Sequence, residues 1–326
     1  MNIFVTGGAG YIGSHTVRLL LEAGHKVRVF DNLSGGHAAA VPEGLLMEGD
    51  LADERRLAEA LAGGFDAVVH FAASCAVGES MANPEKYYWN NVVASLRLLA
   101  AMRQAGVGRI VFSSTAAAYG NPVRTPITED HPTEPINAYG RTKLDFEHAL
   151  AYYAAAYGLG YASLRYFNAA GAAPDSMLGE DHDPETHLVP IVLQAAIGRR
   201  EAVSIFGTDY PTPDGTGIRD YIHVYDLAEA HILALEAIRP GKGLVFNLGN
   251  GAGYSVREVI EAARRVTGRP IPTKEGPRRP GDPAVLVASS DHIRRALGWK
   301  PQYPAIETII ETAWRWHREH PGGYGD

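Results

Sequence analysis

The first half of the chain alternates short apolar runs with longer stretches in which apolar residues recur at helical spacing. Residues 2–6 are an apolar run that leads into a glycine-rich turn, and residues 13–23 show helical spacing that stops at Gly24. Such alternation predicts a parallel sheet that is covered by helices on both faces. The predicted strands are 2–6, 26–31, 66–71, 109–113 and 161–166. The predicted helices are 13–23, 53–62, 84–105 and 137–157.

Beyond about residue 170 the pattern changes, because proline and glycine become frequent and the periodic segments become short. Examples are residues 172–174, 209–215 and 275–283. Long loops in a compact enzyme are more often binding elements than linkers. We therefore predict a large N-terminal domain over residues 1–170. A smaller, loop-rich C-terminal domain over 171–326 would bind a second ligand, with some of its chain crossing back to the sheet.

Composition and charge narrow the class of protein. The 326 residues carry a net charge of −7 and contain no basic block, which argues against nucleic-acid binding. A single cysteine excludes an internal disulfide and a cysteine-rich metal site. No apolar run is long enough to span a membrane, and no basic leader precedes the first predicted strand. We expect no membrane association and a cytoplasmic location.

Three glycines follow the first predicted strand and precede the first predicted helix. Gly7 would allow a tight turn, Gly10 would let a pyrophosphate approach the backbone, and Gly13 would let helix and strand pack closely. The start of the helix would then present free N–H groups and a partial positive charge to phosphate. Strand, glycines and helix in this order predict a Rossmann-type, doubly wound α/β domain that binds a dinucleotide.

An acidic residue at the end of the second predicted strand indicates which dinucleotide binds. Asp31 stands eighteen residues after Gly13. A carboxylate there accepts hydrogen bonds from the adenosine ribose hydroxyls and repels a 2′-phosphate, so NAD is expected rather than NADP. The alternative is an aspartate that only caps a turn at Asp31–Asn32.

A tyrosine and a lysine four residues apart are the candidate catalytic pair. Tyr139 and Lys143 would lie on one face of a helix, within one turn of each other. A nearby ammonium and an oxidised nicotinamide would both lower the pKa of the phenol, which suits it to take a proton from a sugar hydroxyl. The residues 113–115, Ser-Ser-Thr, follow another strand at the edge where ligands of such sheets gather.

At this point the sequence resembles the extended short-chain dehydrogenase/reductases, and among them the UDP-glucose 4-epimerase family. The likeness covers nearly the whole chain, and its long C-terminal motif is more diagnostic than the glycines. The matching segments are TGGAGYIGSH at 6–15, DNLS at 31–34, GD at 49–50, VGES at 77–80, YG-x-x-K at 139–143, LRYFNAAG at 164–171, IFGTDYPTPDGTGIRDYIHVYDLA at 205–228 and RRPGD at 278–282.

The resemblance implies a role for each matching residue. Thr115 would hydrogen-bond the sugar O4 and relay its proton, Tyr139 would be the base, and Lys143 would be its electrostatic partner. The implied NAD-binding residues are Gly7, Gly10, Tyr11, Ile12, Gly13, Asp31, Asn32, Asp50, Leu51, Phe71, Ala72, Ala73, Asn90, Ser113, Tyr139, Lys143 and Tyr166. The implied residues for the UDP-sugar are Thr115, Asn168, His187, Leu188, Ser204, Phe206, Arg219, Arg279 and Asp282. The resemblance implies no metal.

Three residues depart from the best-known pattern of the family. Cys75 stands where a lysine can approach the nicotinamide, and we expect it to be a small buried thiol rather than a nucleophile. His187 replaces an asparagine at the UDP site, where imidazole can still supply one hydrogen bond. Leu286 stands where a tyrosine would restrict access to plain hexoses, so N-acetylated sugars remain an open alternative.

A short acidic segment contains a histidine and could suit a metal ion. The residues 180–183 read Glu-Asp-His-Asp, but no ordered ligand partner is evident in the sequence. We therefore expect a solvated acidic loop there and no metal site.

The implied reaction is reversible inversion at C4 of a UDP-hexose, UDP-galactose to UDP-glucose, through a transient 4-keto sugar with tightly bound NAD. A 4-epimerase for UDP-glucuronate or UDP-N-acetylglucosamine is the main alternative. A sugar-nucleotide 4,6-dehydratase would carry Asp-Glu directly after Thr115, where this chain has three alanines at 116–118. A non-catalytic NAD-sensing regulator would not need the Thr115, Tyr139 and Lys143 set. In the family, helices that match 84–105 and 139–157 form a dimer interface, so a homodimer is expected.

Overall fold

The computed structural model describes residues 1–279 and 282–325. In chain order the strands are β1 (Asn2–Thr6), β2 (Lys26–Asp31), β3 (Leu46–Glu48), β4 (Ala67–His70), β5 (Arg109–Ser113), β6 (Gly160–Tyr166), β7 (Asn168–Ala170), β8 (Val203–Phe206), β9 (Ile218–Arg219), β10 (Tyr221–His223), β11 (Gly243–Leu248), β12 (Tyr254–Ser255), β13 (Thr273–Gly276) and β14 (Val285–Leu286).

The helices occupy most of the remaining chain. They are α1 (Tyr11–Glu22), α2 (Glu54–Leu61), α3 (Val77–Ala82), α4 (Pro84–Tyr87), α5 (Ala94–Gln104), α6 (Ala138–Tyr157), α7 (Leu188–Ala196), α8 (Val224–Ala237), α9 (Val256–Thr267), α10 (Asp291–Leu297) and α11 (Ile306–Glu319). Short 3₁₀ turns cover Ala38–Ala40 and Ala116–Tyr119, and a π-helical turn covers Tyr88–Val93.

The central element is a parallel sheet with the strand order β11-β6-β5-β4-β1-β2-β3, seven strands in the described part of the chain. Every pairing in it is parallel. One apolar cluster, which includes Val17 of α1 and Leu227 of α8, packs on one face of the sheet. A second cluster, which includes Leu98 of α5 and Phe146 of α6, packs on the other face. The predicted Rossmann-type α/β class is therefore confirmed.

The predicted strands and helices of the first half lie where the sequence pattern put them, to within one or two residues. Two sheet strands were not predicted. The strand β3 is only three residues long, and β11 lies in the part of the chain that was expected to be loop-rich. Since β11 pairs with β6 over six residues, a late segment of the chain completes the sheet at that edge.

The helix predicted over residues 84–105 is present from Pro84 to Gln104, and its middle turn is π-helical, which was not predicted. It consists of α4, the π-helical turn and α5. Asn91 in the π-turn accepts a hydrogen bond from the Ser74 backbone and donates to Thr142 of α6. Widened helical turns of this kind are frequent at functional sites. Here the turn directs amide side chains towards the loop after β4.

The C-terminal part of the chain packs as a smaller unit around α7, α9 and α11. Its apolar cluster includes Val192, Val259 and Ile310 from these three helices. Short strand pairs lie beside them, with β8 against β13 and β9 between β12 and β14. In the residues that the structure describes, no helix is long and apolar enough to cross a membrane.

Candidate active site

The turn after β1 shows why glycine is needed at three positions. Gly7 has a φ of +70°, and a Cβ there would lie 2.4 Å from the Ala72 backbone nitrogen. A Cβ at Gly13 would lie 2.2 Å from the Gly7 carbonyl oxygen, so α1 can approach the turn only without a side chain. At Gly10 the nearest atom would be 3.4 Å away, in ordinary contact range. Gly7 and Gly13 therefore pack tightly against other backbone atoms, whereas Gly10 leaves space for a phosphate to approach.

The start of α1 carries the features of an anion site. Gly10 precedes the helix without a capping side chain, and the first turn contains no acidic residue. Within residues 1–279 and 282–325, the first amide groups of the helix thus have no capping side chain as acceptor. Together with the helix dipole, these groups favour a bound pyrophosphate. The hydroxyl of Tyr11 does not face that space. It donates a hydrogen bond to the Gly171 carbonyl oxygen 2.7 Å away.

The residues implied for adenosine lie together at the ends of β2 and β3. The Asp31 carboxylate is buried and accepts hydrogen bonds from the backbone amides of Ala9 and Leu33, each at 2.9 Å. Burial raises the pKa of Asp31, and these amide bonds lower it. The Asn32 side chain donates to Asp50 at 2.8 Å, next to the buried Leu51. Asp31 therefore does cap the turn, and its contact with a ribose stays a prediction.

The residues implied for the nicotinamide end follow β4, β5 and β6. The amides of Phe71 and Ala72 both donate to the Thr6 carbonyl, which sets the segment 71–73 against the glycine turn. Asn90 donates to the Ser74 hydroxyl at 3.0 Å. The Ser113 hydroxyl donates to the Tyr166 phenol oxygen at 3.0 Å. The carboxyl ends of adjacent parallel strands thus bring these groups to one edge of the sheet.

Tyr139 and Thr115 meet because α6 begins very close to the 3₁₀ turn after β5. A Cβ at Gly140 would lie 2.4 Å from the Ala117 carbonyl oxygen, so only glycine allows this approach. Asn137 caps α6 by accepting a hydrogen bond from the Gly140 amide. The Thr115 hydroxyl accepts from the Ala117 amide at 3.1 Å and also hydrogen-bonds with Tyr139. Both residues are buried.

The pKa of Tyr139 in the protein alone lies above its ordinary value. Burial raises the pKa of Tyr139 well above 10, as do the nearby Tyr166 and Cys75, while the Thr115 hydrogen bond lowers it. In the protein without NAD, burial dominates the pKa of Tyr139, and the lowering expected from the oxidised nicotinamide stays a prediction. Phenolate formation therefore depends on the positive charge of the oxidised nicotinamide when NAD is bound.

Lys143 lies one turn after Tyr139, and its amine is buried. Its Nζ donates to the Ser113 carbonyl at 2.8 Å and sits 4.8 Å from the centre of the Phe112 ring. Burial lowers the pKa of Lys143 to about 8, and the nearby Cys75 and Glu147 raise it. At neutral pH the amine is still mostly protonated, so it contributes positive charge at the tyrosine side of the site.

Most of the residues implied for the UDP-sugar line one cavity of about 430 Å³ formed by residues between Asn168 and Asp282. Its lining includes Asn168, His187, Leu188, Ser204, Phe206, Arg219, Arg279 and Asp282. Thr115, the ninth implied residue, is not part of this lining and lies at the catalytic end. Asn168 follows Tyr166 by two residues, so the cavity starts beside the catalytic group.

Three arginines line this cavity, Arg200, Arg219 and Arg279, and the last two are predicted substrate residues. Arg219 in β9 pairs with the Asp282 carboxylate, and Arg279 stacks with its guanidinium carbon 4.0 Å from the centre of the Phe206 ring. Guanidinium forks match phosphate oxygens, so the pair is suited to a pyrophosphate. Pro280 and Gly281 of the RRPGD motif lie outside the described residues.

Leu286 lies where a gate to the sugar would be. It is in β14, in register with Arg219 of β9. Its side chain packs on the cluster of Tyr119, Ile127, Phe167 and Ala288, which Ala116 also contacts. Leu286 thus stands between the arginine end of the cavity and the turn that carries Thr115.

Cys75 is exposed, so the expectation of a buried thiol is wrong. The reason is its place in the chain. Residues 71–76 after β4 form an open loop rather than part of the core, and α3 begins only at Val77. The thiol is close enough to Tyr139 and Tyr166 to influence the pKa of both.

The segment after residue 180 is not a solvated acidic loop, which corrects that prediction. The side chains of Glu180 and Glu185 are only 4% and 2% exposed. Their carboxylates face the imidazoles of His182 and His187. Glu180 and His182 were noted in the sequence, but the approach of Glu185 and His187 to them depends on how the loop folds and could not be predicted.

A buried polar network behind the catalytic pair was not predicted. The Ser114 hydroxyl donates to Glu147 at 2.5 Å, and Glu147 pairs with Arg165 of β6. Arg165 also donates to the Tyr119 hydroxyl, which donates in turn to Asn247 of β11. The position of Glu147, four residues after Lys143, was the available signal. It places the carboxylate on the face of α6 that already carries Tyr139 and Lys143.

Comparison with known proteins assigns this site to a family. The model of the NAD dependent epimerase/dehydratase family matches residues 3–249. The chain belongs to this family. The UDP-glucose 4-epimerase of Halalkalibacterium halodurans is 56% identical over 326 residues, with 99% of this chain and 98% of the relative covered.

Solved structures place the same family fold around NAD. The UDP-glucose 4-epimerase of Brucella ovis in complex with NAD has a TM-score of 0.93 at 51% identity, covering 96% of this chain and 97% of that one. The UDP-glucose 4-epimerase of Bifidobacterium longum in complex with NAD⁺ and UDP has a TM-score of 0.95 at 40% identity, covering 99% and 100%. NAD is therefore the cofactor of this member of the family too. The glycine turn, with its one open glycine and uncapped helix, fits that cofactor.

Proposed function

We propose that this protein interconverts UDP-galactose and UDP-glucose by inverting the configuration at C4 of the sugar. The observation that carries the proposal is the continuity of two sites. The Thr115–Tyr139–Lys143 group lies at the nucleotide edge of the sheet. The cavity lined by three arginines includes Asn168, which follows Tyr166 of that edge by two residues. Such a site can hold a pyrophosphate at one end while a sugar hydroxyl meets Tyr139 at the other.

Each residue of the catalytic group has a distinct part in the reaction. NAD, when bound, accepts the hydride from C4 and returns it to the opposite face of the resulting 4-keto sugar. Tyr139 takes the proton of O4, and Thr115 hydrogen-bonds the same oxygen. Lys143 holds positive charge near the phenol and is fixed by the Ser113 carbonyl. Arg219 and Arg279 hold the pyrophosphate while the 4-keto sugar rotates to present its opposite face.

The direct test is conversion of UDP-galactose by the purified protein. We expect UDP-glucose to form without any added redox partner, because the hydride is returned within each cycle. Tyr139→Phe should lower kcat by at least about 100-fold, since general base catalysis is worth that much. Tyr157→Phe is the matched control, because Tyr157 lies at the end of the same helix with its side chain 61% exposed. A Tyr139→Phe protein as active as the control would refute the assignment of the base.

The range of sugars is the second part of the proposal. Leu286 replaces a larger tyrosine at the gate, so the site has room for an acetamido group at C2. We expect the protein to accept UDP-N-acetylglucosamine in addition to UDP-glucose. Leu286→Tyr should lower kcat/KM for the acetylated sugar and leave that for UDP-glucose nearly unchanged. Equal losses for both sugars would show that Leu286 does not discriminate between them.

We also propose that the protein is a cytoplasmic homodimer. Apolar side chains of unusual exposure lie on the π-turn, α5 and α6, among them Trp89, Leu96 and Tyr152. Tyr88 hydrogen-bonds with Asp145 and so joins the two helical surfaces. A contiguous exposed apolar surface of this kind is typical of a protein interface. The single cysteine is compatible with a reducing compartment.

A further inference from the structure

Four side chains of the segment 180–187 converge on one point outside the catalytic group. They are Glu180, His182, Glu185 and His187, and each offers one ligand atom within 4.8 Å of the others. The cluster lies under the nucleotide turn, with the His182 ring 6.2 Å from that of Tyr11. It also lies beside the substrate cavity, since Glu185 and His187 are part of the cavity lining.

Four of the distances between these groups come close to the edges of a metal coordination shell. Nδ1 of His187 lies 2.9 Å from Oε1 of Glu180 and 3.0 Å from Oε1 of Glu185. Nδ1 of His182 lies 3.2 Å from Oε1 of Glu180 and 3.8 Å from Oε2 of Glu185. Tetrahedral Zn²⁺ with ligands at about 2.0–2.1 Å has edges of about 3.3 Å. These four separations are within about half an ångström of such edges. The ligand atoms extend up to 4.8 Å from one another, so a central ion would also have to draw the most distant pair together by roughly an ångström or more.

Among the described side chains, the carboxylates of Glu180 and Glu185 pair only with the two imidazoles of the cluster, and one ring nitrogen there is left without a hydrogen bond. The Glu180 side chain is 4% exposed. In residues 1–279 and 282–325, no arginine or lysine pairs with it, and only the two imidazoles face it as donors. Nδ1 of His182 is buried and is not aligned to hydrogen-bond with any neighbour in that part of the chain. Buried carboxylates and ring nitrogens are normally paired, hydrogen-bonded or bound to a metal.

We propose that Glu180, His182, Glu185 and His187 form a binding site for one divalent transition-metal ion, with Zn²⁺ as the best match. Two imidazoles and two carboxylates without a thiolate are ligands that suit Zn²⁺. The ion would tie the loop 180–187 to the start of α7, which His187 precedes directly. With Nδ1 on the metal, Nε2 of His187 is the ring nitrogen left for the substrate cavity.

Metal binding by the NAD-loaded, untagged protein tests the proposal without reference to activity. After treatment with a chelator, Zn²⁺ should bind with a stoichiometry of one per chain in calorimetry. It should also raise the Tm, because an ion that binds only the folded chain stabilises it. Co²⁺ in the same site should give visible absorption bands of a four-coordinate ion. Failure of the wild-type protein to bind micromolar Zn²⁺ would overturn the proposal.

Variants distinguish this site from incidental binding at the surface. Glu180→Gln and His182→Ala should each weaken Zn²⁺ binding by at least about 100-fold, since even loss of an outer partner costs roughly 10–100-fold. Asp183→Asn is the matched control, because Asp183 is an exposed carboxylate of the same loop outside the cluster. Its affinity should equal that of the wild type. Unchanged affinity in both cluster variants, or an equal loss in the control, would refute the site.

Retained NAD and an unchanged far-ultraviolet spectrum show that each variant is folded. His182→Ala is the safer of the two, since its side chain is 25% exposed while that of Glu180 is nearly inaccessible. If Glu180→Gln does not fold, His182→Ala alone decides the outcome. Conversion of UDP-galactose is measured separately, so failure of the metal site and failure of the proposed reaction give different results.

Discussion

At the scale of single residues, Lys143 shows the cost of holding a charge where the chemistry needs it. Its amine is buried between Ser113 and Phe112, with one hydrogen bond to a carbonyl and no carboxylate bonded to it in the described residues. The pKa falls from its ordinary value of 10.5 to about 8 because burial penalises the charged form. The folded chain therefore binds this proton less tightly than the unfolded chain does.

This difference predicts that Lys143→Met inactivates the protein but stabilises its fold. A fall in pKa from 10.5 to about 8 corresponds to about 3 kcal/mol at most. Below pH 8 the lysine is charged in both the folded and the unfolded chain. Burial of the charge then lowers the free energy of unfolding of the wild type by its full amount, and the stabilisation by methionine is greatest. Between pH 8 and 10.5 the folded lysine is neutral and the unfolded one charged, so the advantage shrinks as pH rises.

Urea unfolding of NAD-free wild-type and Lys143→Met proteins at pH 7 and pH 10 measures this prediction. The free energy of unfolding of the variant should exceed that of the wild type at pH 7, and the two should be closer at pH 10. A variant that is less stable at pH 7 would contradict it, and would mean that the bond to Ser113 outweighs the burial of charge.

At the scale of elements, the close approach of α6 to the turn after β5 positions the base. A Cβ on Gly140 would stand 2.4 Å from a carbonyl oxygen of that turn, so Gly140→Ala must push the helix away. Because Tyr139 is the neighbouring residue, its phenol would move away from Thr115. A displacement of about 1 Å can cost roughly 100-fold in rate. We expect such a loss in kcat, with NAD still bound.

Gly108→Ala provides the control for this prediction, since a Cβ there meets no atom within 4 Å. Both variants lose one glycine, but only Gly140→Ala meets the backbone of another element. Steady-state kinetics of the two proteins with UDP-galactose make the comparison. Equal activity would show that α6 can shift without displacing the base.

The same elements explain how far the sequence could predict the structure. The strands β1, β2, β5 and the helix α6 carry strong local patterns, and all lie where those patterns placed them. The strand β3 is too short to show any alternation, and β11 is defined by pairing with a distant strand rather than by local pattern. The π-turn at 88–93 depends on amide contacts to Ser74 and Thr142 that helical periodicity cannot reveal.

The side-chain environments also divide into those that local sequence predicts and those that depend on distant parts of the chain. Residues that belong to contiguous motifs, such as Tyr139 and Lys143, could be selected from their spacing together with the glycine motif and the Ser-Ser-Thr segment at 113–115. Burial of Glu180 and exposure of Cys75 depend on what the rest of the chain packs against, and both were predicted wrongly. The pKa of Tyr139 in the protein alone could not be predicted for the same reason, because the removal of water is a property of the folded site rather than of the motif.

At the scale of the whole molecule, the exposed aromatic surface predicts the assembly. Trp89 is 58% exposed and Tyr152 is 77% exposed, on neighbouring helical segments. Trp89 lies in the π-helical turn, and Leu96 lies in α5, which follows it directly. Four helical segments, two from each copy, would bury this surface against itself in a symmetric pair. A lone chain would leave it in water.

Light scattering after size-exclusion chromatography tests this prediction. The wild-type protein should elute with twice the mass of the 35.1 kDa chain at micromolar concentration. Trp89→Glu should shift it to the mass of one chain, because a buried interfacial carboxylate without a partner is strongly unfavourable. Val123→Glu is the control, since Val123 is an equally exposed apolar residue outside these helices. A monomeric wild type, or dissociation by the control as well, would exclude this surface as the interface.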